Sequence, residues 1–230
     1  TFDFGLASQM LSAVRFGDPA SLAIVQQEVS AAYPPGGYAA FLTNHDQDRA
    51  FDMLQRDVAA AKQAATLLLT NPGVPFIYYG EEIGLRGRKP DERIRTPMPW
   101  TGEAPGFGFT TGEPWQPMAE DVESANVAAQ TADPDSLLAH YRSLIALRTA
   151  HPALGVGGSM VPLEASVPGV YAVLRHDPVH GASVVVVSNL TGKPVTDVRV
   201  SLAAGPLCGA PAAAVLIGGG EPAAPVVTSG

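Results

Sequence analysis

Two apolar runs, each stopping on a cluster of polar residues, limit the possible folds of this chain more than any other feature. Tyr38-Ala39-Ala40-Phe41-Leu42-Thr43 leads into Asn44-His45-Asp46, and Val74-Pro75-Phe76-Ile77-Tyr78-Tyr79 leads into Gly80-Glu81-Glu82. Parallel strands buried on both faces read as continuous hydrophobic runs rather than alternating ones. Between the two runs, Leu54, Val58, Ala61, Ala65 and Leu68 recur at helical spacing. In a β/α barrel the carboxyl ends of the strands carry the chemistry. Two such strands separated by a helix therefore predict an α/β barrel protein with its polar clusters at the working end.

The rest of the chain falls into place around them. Thr1–Phe4 reads as a short strand, and Leu6, Met10, Leu11 and Val14 as the stripe of a helix. Asp18-Pro19 opens a second helix, with aspartate as cap and proline at its first position. Asn71-Pro72-Gly73 stops the helix that runs from Leu54 to Leu68. Residues 84–133 have little periodicity and much glycine and proline, and a loop of that length is usually functional. Asp133-Pro134 repeats the capping device before a helix at 135–150, which His151-Pro152 closes. Short β-like runs follow at 159–165, 170–176, 183–190 and 195–202, predicting a small antiparallel sheet. The last thirty residues are mostly Ala, Gly, Pro and Val, and read as partly disordered.

Composition narrows the class of ligand. A net charge of −8 disfavours nucleic acid and anionic membrane, and suits neutral ligands. The single cysteine, Cys208, excludes an internal disulfide. No run is long and apolar enough to span a membrane. No His/Cys/Asp/Glu spacing has the form of a zinc site, and Gly80-x-x-x-Gly84 lacks the Lys-Ser/Thr of a phosphate loop. Neither a metal nor a cofactor is expected.

Three blocks, FLTNHDQ, NPGVPFIYYGEEIG and DERIRTPMPW, in that order and spacing, closely resemble the last third of an α-amylase/α-glucosidase barrel, glycoside hydrolase family 13. The resemblance covers residues 1–150, and the tail more weakly. It implies a partial (β/α)8 TIM barrel, its last three βα units in residues 1–153, followed by a small all-β antiparallel domain in residues 154–230. Three strands cannot close a barrel of eight. The missing amino-terminal half of the barrel is therefore an expected partner, and the chain, which begins at Thr1, reads as the carboxyl-terminal part of something longer.

The same resemblance implies retaining chemistry on an α-glucan or oligosaccharide substrate. One carboxylate attacks the anomeric carbon while a second group protonates the leaving oxygen. In the family both lie on strands that precede this chain, so the chain alone is expected to be inactive. Asp46 matches a third carboxylate, a transition-state stabiliser accepting from sugar hydroxyls. His45 would donate to the same sugar, and Asn44 would brace its neighbours. Arg95 matches an arginine that pairs with an acid on an earlier strand and closes the non-reducing end of a glucose pocket. Pro99 stands where the family usually has glutamine, which bears on the placement of Trp100.

Glu82 is a candidate subsite neighbour, whereas Glu81 and Glu82, as adjacent strand residues, would face opposite sides. Tyr78 and Tyr79 read as core and rim packing. Trp100, Phe107, Phe109 and Trp115 fit either a glucan-binding rim or plugs that pin the loop to its scaffold. His140, His151, His176 and His180 read as structural. Two other readings share these motifs: a transglycosylase or isomerase of the same family (trehalose synthase-like), and a non-catalytic carbohydrate-binding chain.

Overall fold

The computed structural model describes residues 1–207 and 213–218. Its elements run α1 (Phe4–Phe16), α2 (Ala20–Ala32), β1 (Ala39–Phe41), α3 (Ala50–Met53), α4 (Val58–Thr70) and β2 (Val74–Phe76). They continue with α5 (Asp91–Ile94), α6 (Val127–Ala132) and α7 (Leu137–Ala150). The strands β3 (Ser159–Pro162), β4 (Glu164–Ala165), β5 (Val170–His176), β6 (Ser183–Asn189) and β7 (Val200–Ser201) complete the order. Cys208 and most of the low-complexity tail lie outside the described residues.

β1 and β2 pair in parallel, Ala39 opposite Val74 and Phe41 opposite Phe76. The short strand expected at Thr1–Phe4 reduces to one parallel bridge between Phe2 and Ala39. Its extension is cut off because Asp3 caps α1, its carboxylate accepting from Leu6 N at 2.8 Å. The second strand is also shorter than the run that predicted it. Gly80 at φ 82° turns the chain, and Glu81–Ile83 forms a 3-10 turn. Glu81 and Glu82 therefore do not alternate across a strand as expected.

The helix expected over Leu54–Leu68 begins only at Val58, and a separate short helix, α3, ends before Leu54. Gln55 and Arg56 both have positive φ, 60° and 64°, which no helix accommodates. The break is fixed from both sides. Buried Asp52 accepts from Arg56 Nε at 2.9 Å and from Gly87 N at 2.7 Å. Asp57 then caps α4, accepting from Ala59 N and Ala60 N. Val58, expected on the apolar stripe, is 48% exposed as a result. A smaller shift of the same kind occurs at α7. There Ser136, rather than Asp133, is the cap and accepts from Ala139 N at 3.1 Å, while Asp133 accepts from Asp135 N one turn earlier.

Beyond α7 the chain is antiparallel. β5 lies between β3 and β6, and β4 pairs with β7. Only Val200–Ser201 of the run expected at 195–202 is strand. β5 is buried along almost its whole length, whereas β6 leaves Val185 and Val187 about half exposed.

One apolar cluster runs through both parts of the chain. It includes Leu6, Met10, Leu22, Ala40, Leu42, Leu68, Tyr141, Tyr171, Val173 and Val186. A buried polar net crosses the same seam. Tyr171 Oη donates to Gln26 Oε1 at 3.0 Å, Gln26 Nε2 to Asn71 Oδ1 at 3.3 Å, and Asn71 Nδ2 to Tyr38 Oη at 3.0 Å. Each polar group is thus paired where water cannot reach it. Asn71 stops α4 and also anchors the antiparallel sheet to the parallel one.

Candidate functional site

The chain leaving β1 turns at once, because Asn44 Oδ1 accepts from Asp46 N at 2.9 Å. This is the bracing role expected of Asn44, and it presents His45 and Asp46 at the surface. Their side chains are 64% and 62% exposed, with His45 Nε2 3.4 Å from Asp46 Oδ2. Arg95 reaches this loop across fifty residues of sequence. Its Nε donates to His45 O at 2.9 Å, and its Nη2 donates to Asp46 Oδ1 at 2.9 Å. The structure thus brings together three of the five residues singled out from the sequence.

Glu82 and Trp100 are placed elsewhere. Glu82 lines a cavity of about 250 Å³ with Ile77, Tyr79, Leu138, Tyr141, Arg142 and Ile145. Its Oε2 is buried with no hydrogen-bond partner among the described residues, and burial raises its pKa. Trp100 is half exposed, its backbone N donating to Phe107 O at 2.9 Å. Gly108, at φ 74°, packs so tightly against it that a Cβ would lie 2.8 Å from Trp100 Cβ. Phe109 and Trp115 are 47% and 63% exposed on the same long loop.

Sequence reasoning missed Asp91. Its Oδ2 accepts from the same Arg95 Nη2 at 2.7 Å, and Lys89 Nζ donates to its Oδ1. The Lys89 bond, followed by the Arg95 charge, holds the Asp91 carboxyl below the usual range. The four-residue spacing from Asp91 to Arg95 was the available signal, since i,i+4 acid–base pairs meet on a helix. Arg95 was expected to pair with an acid on an earlier strand; within this chain it bridges Asp46 and Asp91.

Glu81 occupies a different environment. It is 7% exposed, and Tyr141 Oη donates to its Oε1 at 2.7 Å. Burial pushes its carboxyl up to about 8, aided by the neighbouring Glu82 charge and opposed by the Tyr141 bond and Arg49. In the unfolded chain the same group ionises near 4.5. The folded state therefore binds the extra proton between these values, and stability falls as pH rises through that window. The slope from one such group is at most about 1.4 kcal/mol per pH unit. Thermal unfolding from pH 5 to pH 8 should show a falling Tm that Glu81→Gln flattens. An unchanged slope in the variant would assign the effect to other groups.

Seven buried side-chain atoms have no hydrogen-bond partner among the described residues: Thr43 Oγ1, Gln47 Oε1, Arg49 Nε and Nη2, Glu81 Oε2, Glu82 Oε2 and Thr96 Oγ1. All belong to the segments that follow β1 and β2 or to the Arg95 segment. Native proteins leave few such groups, and here they follow the two parallel strands in sequence or flank Arg95. No three His, Cys, Asp or Glu side chains gather as a metal site among the described residues.

Comparison with known proteins identifies the family. The family profile described as "Alpha amylase, catalytic domain" matches residues 20–157. Over 121 residues the chain is 44% identical to Alpha-amylase SusG of Bacteroides thetaiotaomicron, a match covering 50% of this chain and 16% of that protein. It is 31% identical over 202 residues to an oligo-1,6-glucosidase of Halalkalibacterium halodurans, covering 70% of this chain and 35% of the relative. Among solved structures, an α-amylase from H. orenii superposes with a TM-score of 0.74 at 35% identity, covering 85% of this chain and 40% of that one. The trehalulose synthase MutB of Pseudomonas mesoacidophila gives a TM-score of 0.64 at 28% identity, covering 75% and 38%. The chain spans less than half the length of each of these relatives.

Proposed function

Because this chain belongs to the α-amylase catalytic-domain family, we propose that it is the carboxyl-terminal portion of a retaining glycoside hydrolase acting on α-glucosidic bonds. Residues 1–153 would supply the last three βα units of a (β/α)8 barrel, and residues 154–230 the β domain that caps it. The observation that carries this reading is the convergence of His45, Asp46 and Arg95 at the carboxyl end of β1. In barrels of this kind that end carries the chemistry.

In this reading Asp46 is neither nucleophile nor acid. It holds a fixed carboxylate against sugar hydroxyls beside the reacting carbon. His45 donates to the same sugar, and Arg95 orients Asp46 while closing the pocket. Hydrogen bonds that tighten as the ring flattens toward an oxocarbenium-like state lower the barrier rather than merely bind. Glu82 and Trp100 would stand at the periphery. The nucleophile and the acid would come from the amino-terminal half of the barrel. A same-family transglycosylase or isomerase is the second reading, favoured by the likeness to a trehalulose synthase.

Release of glucose or reducing ends from maltose, isomaltose and soluble starch tests the proposal. The chain alone should give no turnover above a blank, and restoring the amino-terminal half should generate it. Product analysis then separates hydrolysis from transfer. Clear turnover by the isolated chain that survives Asp46→Ala would overturn the assignment.

A further inference from the structure

We infer that Arg49, Tyr78 and Tyr79 are positioning residues that clamp Arg95 onto Asp46, an inference that rests on the reading of that pair as part of the substrate site. Tyr78 Oη donates to Ile94 O at 3.0 Å, and Tyr79 Oη donates to Thr96 O at 2.7 Å. These carbonyls belong to the residues immediately before and after Arg95. Two adjacent phenols thus hold the backbone on either side of Arg95, which reaches His45 and Asp46.

The phenols are themselves held from the Asp46 loop. Arg49, 1% exposed, places its guanidinium 4.2 Å from the Tyr78 ring centroid and 4.5 Å from that of Tyr79. A flat cation lies well on a ring face, and the two rings meet edge to face at 73°. Arg49 Nη1 donates to Tyr79 O, and Arg49 N donates to Gly87 O at 2.9 Å. Arg49 follows Asp46 by three residues, so the contacts form a closed circuit. It passes from Asp46 to Arg95, through the flanking carbonyls to the two tyrosines, and back through Arg49.

The circuit explains an otherwise uneconomical feature. Arg49 is buried, yet its Nε and Nη2 have no partner among the described residues. A guanidinium placed only to neutralise a charge would use its fork; here its contacts are the two rings and the Tyr79 carbonyl. Lysine at this position would keep the charge but could not span two rings.

The test reads solvent exchange of the Arg95 Nε–H, protected by its bond to His45 O, by nitrogen-15 NMR on this chain. Arg175 Nε–H, bonded to Ser159 O at 3.1 Å in the antiparallel sheet, is the internal control. Tyr78→Phe/Tyr79→Phe keeps both rings but removes both phenolic bonds. It should accelerate exchange at Arg95 at least tenfold and leave Arg175 unchanged. Arg49→Lys should do the same, and serves if the double variant does not fold. Unchanged exchange at Arg95, or an equal rise at Arg175 from general loosening, would overturn the inference. Because the readout needs no turnover, it stands apart from the activity assay. In the restored enzyme the Tyr→Phe pair should then lower kcat/KM.

Discussion

Replacing Arg175 by alanine should lower the free energy of unfolding by about 4 kcal/mol, a large share of an ordinary domain's margin. Arg175 is fully buried on β5 and spends its whole fork on backbone carbonyls. Nη1 donates to Thr70 O, Nη2 to Gly155 O at 2.8 Å and Gly158 O at 3.1 Å, and Nε to Ser159 O at 3.1 Å. These acceptors come from the end of α4, from the connection between α7 and β3, and from the first residue of β3. Removing the donor leaves buried carbonyls unsatisfied, each costing about 1–3 kcal/mol where no water enters. Burial, and then the Arg148 charge, push Arg175 down to about 10, so it remains a cation at neutral pH. Loss of that desolvation cost offsets part of the damage, and Arg175→Met, which also fills the space, should be milder than alanine. Denaturant unfolding with an unchanged m-value measures the effect. A loss below about 1 kcal/mol would mean that water replaces the fork.

Arg175 also shows where sequence reading stops. Val170–His176 was legible as a strand from its apolar letters, but alternation assigns the arginine no particular partner. The carbonyls it satisfies belong to Thr70, Gly155, Gly158 and Ser159, and backbone acceptors leave no mark in a sequence. The same limit hid Arg49, whose ring contacts depend on how Tyr78 and Tyr79 turn out of β2. Continuous apolar runs gave the two parallel strands because burial on both faces fixes composition. They overstated strand length: the Asp3 cap ends the first strand's extension, and the β1–β2 pairing stops at Phe76, before the turn at Gly80. Periodicity started α4 too early, at Leu54, because the two left-handed residues that block it there, Gln55 and Arg56, are neither glycine nor asparagine. The Arg95–Asp46 contact could be anticipated only as two separate motifs. Its geometry, with Asp91 as a third member, required the fold.

The second large effect concerns Asp46 and follows from the proposed function, measured in an enzyme completed by an amino-terminal half of the barrel. Asp46 presents a carboxylate that is largely exposed, with Oδ1 held by Arg95 and Oδ2 beside His45. An exposed ion pair of this kind adds little to stability, about 0–1 kcal/mol. The chain therefore loses little stability when Asp46 is removed, and the consequence should appear in catalysis. A carboxylate accepting from sugar hydroxyls makes charge-assisted bonds of about 1.5–3 kcal/mol each. Two such bonds, tightened in the transition state, correspond to a loss of roughly 10²–10⁴ in rate. If they were equally strong in the ground state, only KM would change.

The most direct measurement is therefore kcat and KM of Asp46→Ala in the restored enzyme, with Tm recorded alongside. The account predicts a fall in kcat of roughly 10²–10⁴-fold, with KM moving far less and Tm nearly unchanged. A variant with intact kcat and a raised KM would contradict it, and would reduce Asp46 to a binding contact at the rim of the site.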